Sequence, residues 1–102
     1  MKTINLEQFA QNRTTLLASK TKGADARNEL ELDSLDKGSD QIMVIIPEYI
    51  ITITPSFFLG LFSKSLETLG EDNFFKKYHF NDKRDTIQRQ IKSSVDDWKS
   101  AQ

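Results

Sequence analysis

The chain has 102 residues, enough for a single domain over residues 1–102 and too few for two. It contains no cysteine, which excludes disulfides and thiolate metal sites and is compatible with a reducing, cytoplasmic location. Lys plus Arg number 14 against 15 Asp plus Glu, a balance that argues against general nucleic-acid affinity.

Met1-Lys2-Thr3-Ile4-Asn5 lacks the long apolar region of a signal peptide. Thr3 to Leu6 reads as a short strand with Ile4 and Leu6 facing one way. A helix over Leu6, Phe9, Ala10, Arg13, Leu16 and Leu17 competes with it at helical spacing. With the strand preferred, irregular chain follows, then a short strand over Thr15 to Ala18. After the polar break Lys20-Thr21-Lys22-Gly23, a helix is expected over Ala24 to Leu35. Ala26, Leu30 and Leu35 form its apolar side; Asp25, Glu29 and Asp33 are solvated. Asp36-Lys37-Gly38-Ser39-Asp40 is a turn cluster.

The stretch from Gln41 to Gly70 organises the rest. Ile42 to Ile46 is an unbroken apolar run rich in β-branched residues, which suits a strand covered on both faces. Pro47 lacks an N–H and should end it. Glu48 and Tyr49 lie in the connection, and Ile50 to Ile53 returns to the core. Thr54-Pro55 is a helix start: the hydroxyl caps a free N–H, and Pro at the first position loses no hydrogen bond. Phe58, Phe62, Leu66 and Leu69 follow at helical spacing to the stop at Gly70, while Phe57, Leu59 and Leu61 widen the apolar arc until the first two turns are oily nearly all round. Such a helix is buried on two sides, by its own domain or by a partner. The most apolar window, Ile42 to Phe62, contains Pro47, Glu48 and Pro55 and is read as folded core, not as a membrane span.

Glu71 to Lys77 reads as a further helical turn and Tyr78-His79-Phe80 as a short strand. Asn81 or Asp82 caps a last helix with the stripe Ile87, Ile91, Val95 and Trp98. Strands alternating with helices give an α/β layer. The only histidine, His79, has no Cys or second His beside it for a metal site and is expected as a half-buried or surface residue. Lys76, Lys77, Lys83, Arg84, Arg89 and Lys92 are locally basic, but Asp82, Asp85, Asp96 and Asp97 dilute them, and a solvated face is the better reading. No glycine-rich phosphate loop, acid/base carboxylate pair or nucleophile motif is present, so no enzyme, cofactor or metal is expected.

With these elements in place the chain resembles the small STAS-like domains of unknown function, relatives of anti-sigma factor antagonists. The carriers are Gly23 and Arg27, the Leu35-Asp36-Lys37-Gly38 exit, the strand Ile42 to Ile46, Ile53-Thr54-Pro55-Ser56-Phe57, and Leu61-Phe62, Leu66 and Leu69-Gly70. The resemblance implies a small STAS-like sandwich, with helices on a mixed sheet of about four strands, in a bacterial, cytoplasmic signal-transduction protein that works by binding. It also implies a partner kinase of the histidine-kinase-like ATPase fold acting on Ser56, with Thr54 as the neighbouring acceptor. Two departures stand out. Ile46-Pro47 occupies the place of an acidic residue, and Gly60 stands where the family tends to carry another. On this reading the helix from Thr54 and the loop before it carry the partner contact, through Glu48, Tyr49, Phe57, Phe58, Gly60 and Phe62. A homodimer closed by the apolar helix face is the alternative.

Overall fold

The computed structural model describes residues 1–10 and 14–102. In chain order these form β1 (Lys2–Asn5), a 3-10 turn (Leu6–Phe9), β2 (Leu16–Leu17), α1 (Lys20–Glu29), α2 (Leu32–Lys37), β3 (Ile42–Ile45), β4 (Thr52–Ile53), α3 (Pro55–Leu69), α4 (Glu71–Lys77), β5 (Tyr78–Phe80) and α5 (Asp85–Ser100). The fold is α/β, but its strands pair differently from a mixed sheet of about four. There are two ladders, β1-β3-β5 and β2-β4, and every pair is parallel. Each pair is parallel because helical segments intervene between the paired strands and return the chain to the same end.

The early elements correct several expectations. Ile4 and Leu6 are both buried, as their alternation requires, but Leu6 already belongs to the 3-10 turn. The competing helix is not formed at Leu6–Phe9 or at Leu16–Leu17, and its Arg13 lies outside the described residues. The single helix expected over Ala24 to Leu35 is two. It starts at Lys20, capped by Ser19, and breaks where Glu31 takes a left-handed conformation, φ 55°. Leu32, not Leu30 or Leu35, then becomes the fully buried residue. Arg84 occupies the cap position of α5 with no side-chain cap bond, while Asp82, two residues earlier, accepts from the Arg84 backbone N–H at 2.9 Å.

β3 is covered on one face only. Ile42, Val44 and Ile46 are buried, whereas Met43 is half-buried and Ile45 is exposed. The oily run thus overstates the cover, since the face that carries Met43 and Ile45 is not closed off from solvent.

α3 runs through the middle and touches α1, α2, α4 and α5. Its apolar arc is satisfied from two sides. Phe58 and Phe62 stack into an aromatic cluster with Phe74, Tyr78 and Phe80, ring centroids 5.1 to 6.4 Å apart. On the other side α1 crosses it at Gly23 and Gly60. A Cβ on Gly23 would run into the Phe57 carbonyl, and one on Gly60 into the Lys20 carbonyl, so the two backbones touch with no side chain between them. The stripe Ile87, Ile91 and Val95 seats α5 against the same core, with Trp98 half-buried at its end. Gln90 of α5 closes the open edge of β4: its Oε1 accepts from the Ile53 N–H at 2.6 Å and its Nε2 donates to the Ile51 carbonyl at 3.3 Å.

Candidate functional site

Two strand-to-helix junctions lie side by side at the carboxyl end of the β2–β4 ladder. Leu17 pairs with Ile53, and the Thr54 N–H extends the ladder by donating to the Leu17 carbonyl at 2.9 Å. From there β2 leads through Ser19 into α1, and β4 leads through Thr54 into α3. Thr54 is extended, and its Oγ1 accepts from the Phe57 N–H at 3.2 Å. Ser56, on the first turn, is exposed; its Oγ lies 3.2 Å from Thr54 Oγ1. Ser19 holds φ 87°, unusual for a residue with a Cβ, and its Oγ accepts from the Lys22 N–H at 3.4 Å. Leu16 and Ile51, at the far end of the same ladder, are 43% and 60% exposed. Beside β2 a cleft of about 500 Å³ opens between Phe9, Leu16, Leu17 and the polar side of α1.

Of the residues expected to meet a partner, Phe57, Phe58 and Phe62 are withdrawn from the surface, at 1%, 2% and 1% exposure. Their own subunit encloses all three rings, so a contact through them is corrected to core packing. Gly60 does bring another backbone close, but that backbone is α1 of the same chain. Glu48 is exposed and Tyr49 half-buried, on a connection held by the chain itself. The Arg84 guanidinium donates to the Glu48, Ile50 and Pro47 carbonyls at 2.9, 2.6 and 3.3 Å, and to Asp82 Oδ2 at 2.6 Å. Arg84 is therefore a staple and not part of a solvated basic face. Lys77 also leaves that face: it is buried, with Nζ donating to the Gly38 and Asp40 carbonyls at 2.9 and 2.7 Å. His79 is half-buried, with Nε2 3.0 Å from Gln41 Oε1.

The Arg84 contact holds the Asp82 carboxyl below the usual carboxylate range, through its side-chain hydrogen bond foremost. A carboxyl with a lowered folded-state pKa adds stability above its unfolded value, about pH 4, and loses it as pH falls through the folded value. Asp82→Asn should therefore flatten the acid side of the stability–pH curve, measured by urea melts between neutral pH and the acid limb. A parallel curve for the variant would show that Asp82 carries none of that dependence.

A buried polar cluster escaped the sequence reading altogether. Arg27, 5% exposed on α1, donates from Nη2 to Asp36 Oδ2 at 2.6 Å and from Nη1 to Ser65 Oγ and the Leu61 carbonyl, both at 2.9 Å. Ser65 Oγ donates to Asp36 at 2.8 Å, and Tyr78 Oη donates to the same carboxylate. Burial, then the Asp36 carboxylate, push the Tyr78 phenol above its ordinary pKa. Asp36 belongs to the expected turn cluster by sequence, yet it sits buried in α2. The available signal was Arg27 directly following the core residue Ala26, a cation on an otherwise apolar helix edge that needs a buried anion. Every polar side-chain atom of this cluster is engaged within it or with Asp33, so it ties α1, α2, α3 and β5 together and leaves no group free for substrate.

Among the described residues no three His, Cys, Asp or Glu side chains gather as a metal site would require. No helix of the described residues is long and apolar enough to cross a membrane. No family model, curated protein or solved structure matches this chain.

Proposed function

We propose that this chain is a non-enzymatic, cytoplasmic regulatory or adaptor protein of bacterial STAS-like type, which binds a protein partner at the start of α3 and is switched there by phosphorylation. The observation that carries the reading is Ser56. It is exposed on the opening turn of a 15-residue helix, and the neighbouring Thr54 hydroxyl is already occupied as the cap. A phosphate on Ser56 would add nearly two negative charges at the positive end of the helix dipole, which favours them. Thr54, committed to capping, is the poorer acceptor.

The kinship rests on Ile53-Thr54-Pro55-Ser56-Phe57 at a strand-to-helix junction and on the alternation of strands and helices. The parallel ladders of three and two strands are a departure from the mixed STAS-like sandwich. With the phenyl rings internal, the partner surface is drawn from residues that stay exposed: Leu16, Ile51, Pro55 and Ser56, with Glu48 on the adjoining connection. A histidine-kinase-like ATPase is the partner class the resemblance favours.

The test is to incubate the purified chain and ATP with each such ATPase encoded in the same genome, and to follow both phosphate transfer and binding. The reading expects one phosphate, lost in Ser56→Ala, and at least about tenfold weaker binding for Ser56→Asp, equivalent to about 1.4 kcal/mol. Binding that is indifferent to Ser56→Asp, Leu16→Asp and Ile51→Asp would remove it.

A further inference from the structure

The buried Arg27 cluster is closed towards solvent by one exposed residue. The inner N–H groups of Arg27 are committed: Nη1 donates to the Leu61 carbonyl and Ser65 Oγ, and Nη2 to Asp36. The outward edge, Nε and the second Nη2 hydrogen, is held by Asp33 at 3.0 and 2.8 Å. Both of these bonds end on a single oxygen, Oδ1. A carboxylate free to align sets one oxygen against each N–H, the stronger, bidentate arrangement. Asp33 is fixed to the first turn of α2 and leaves that arrangement unmade. Its side chain is 69% exposed against 6% for Arg27, so the cation is built into the fold and its outer partner is not.

A cleft of about 310 Å³ opens over this edge, with Lys37 and Lys64 on its walls. Among the described residues neither lysine makes an ion pair. Arg27 foremost, and then Lys64 and Lys37, hold the Asp33 carboxyl below the usual carboxylate range. Three cations thus converge on the place that its oxygen occupies.

We propose that this cleft binds the carboxylate of a small organic acid, which takes the place of Asp33 on the outward edge of Arg27. Charge sets the class. The cleft carries Arg27, Lys37 and Lys64 against Asp33, Asp36 and Glu67, three against three. With Asp33 turned out to solvent the balance is three against two, and a monoanion restores neutrality. A phosphate, with more than one charge near neutral pH, overshoots it beside the two remaining carboxylates. Volume sets the size, since this cleft lies at the lower end of small-molecule sites. Asp33 is then a tethered competitor. It keeps the guanidinium paired while the site is empty, and it lowers the apparent affinity by the fraction of time it is seated.

The site is separate from the one under Proposed function. Thr68, at the cleft, lies twelve residues along α3 from Ser56, about 18 Å, and failure of either reading leaves the other standing. The experiment titrates the full ¹⁵N-labelled chain with sodium propionate at constant ionic strength, against sodium chloride, and follows the Arg27 Nε–H and Thr68 amide resonances. Both should shift saturably with propionate and not with chloride. Asp33→Ala, with the competitor removed, should bind propionate at least about tenfold more tightly while its circular dichroism spectrum stays unchanged. Adding Lys37→Gln and Lys64→Gln to that variant should weaken binding at least about fivefold. No saturable shift of Arg27 Nε–H in either protein overturns the proposal. So does equal affinity with and without Asp33, indifference to the loss of both lysines, or a tighter response to inorganic phosphate than to propionate.

Discussion

Gly23→Ala should destabilise the protein by about 3 kcal/mol, the upper end of ordinary overpacking costs, and lower the melting temperature by more than about 10 °C. Helix propensity alone points the other way, since alanine in a helix interior is worth up to about 1 kcal/mol over glycine. The clash decides the sign. The new methyl would meet the Phe57 carbonyl and lie 3.0 Å from the Leu61 nitrogen and 3.1 Å from the Gly60 Cα. These are backbone atoms, which cannot rotate away as a side-chain tip can, so α1 and α3 must separate and loosen the packing that encloses Phe57. Gly60→Ala meets the same crossing from the other helix, through the Lys20 carbonyl and the Ala24 nitrogen, and should cost a similar amount. The two together should cost less than their sum, because either one alone already opens the contact. Gly38→Ala is the control. Its nearest neighbours are ordinary contacts at 3.6 and 3.8 Å and its φ is −80°, so the melting temperature should hold or rise slightly. A thermal melt in which Gly23→Ala and Gly38→Ala coincide would refute the close crossing.

Asp36→Ala should cost about 3–5 kcal/mol, the range for leaving a buried ion without its partner. Arg27 and Asp36 have side chains only 6% and 3% exposed, so the guanidinium cannot recruit water when the carboxylate is removed. Asp33 shares the same guanidinium at 2.8 Å, but its own side chain is 69% exposed, and Asp33→Asn should leave the urea midpoint unchanged within error. Replacing both buried ions, with Arg27→Met and Asp36→Leu, should recover part of the loss by removing the uncompensated charge. Recovery stays partial because the Ser65 and Tyr78 hydroxyls lose their acceptor; adding Ser65→Ala and Tyr78→Phe should regain more. Urea melts of the series read this directly. Equal midpoints for Asp36→Ala and Asp33→Asn would show that the cluster carries no special weight.

Both sites depend on relations the linear order conceals, and the same division runs through the whole chain. The α/β alternation, the helix opening at Thr54-Pro55, the stop at Gly70 and the Ile87-Ile91-Val95 stripe were legible in the sequence. Capping, proline geometry and hydrophobic period are local properties, settled within a few residues. Gly60 was legible in part: glycine within a helix signals a close backbone, though not whose. The phenyl rings of α3 could not be assigned to core or surface from their spacing. That depended on α1 arriving from the opposite side of the helix, over a glycine contact between positions 23 and 60. The cover on β3 failed as a local reading for the converse reason. An apolar run shows that a strand tolerates burial on both faces, but only the placement of every other element decides whether the second face receives any. The convergence of Arg27, Ser65 and Tyr78 on Asp36 and the stapling of residues 47–50 by Arg84 were likewise decided by tertiary structure alone. Hydrogen bonds that span from 9 to 42 residues leave no period in the sequence. They form because burial strips these groups of water, and the groups must then find one another.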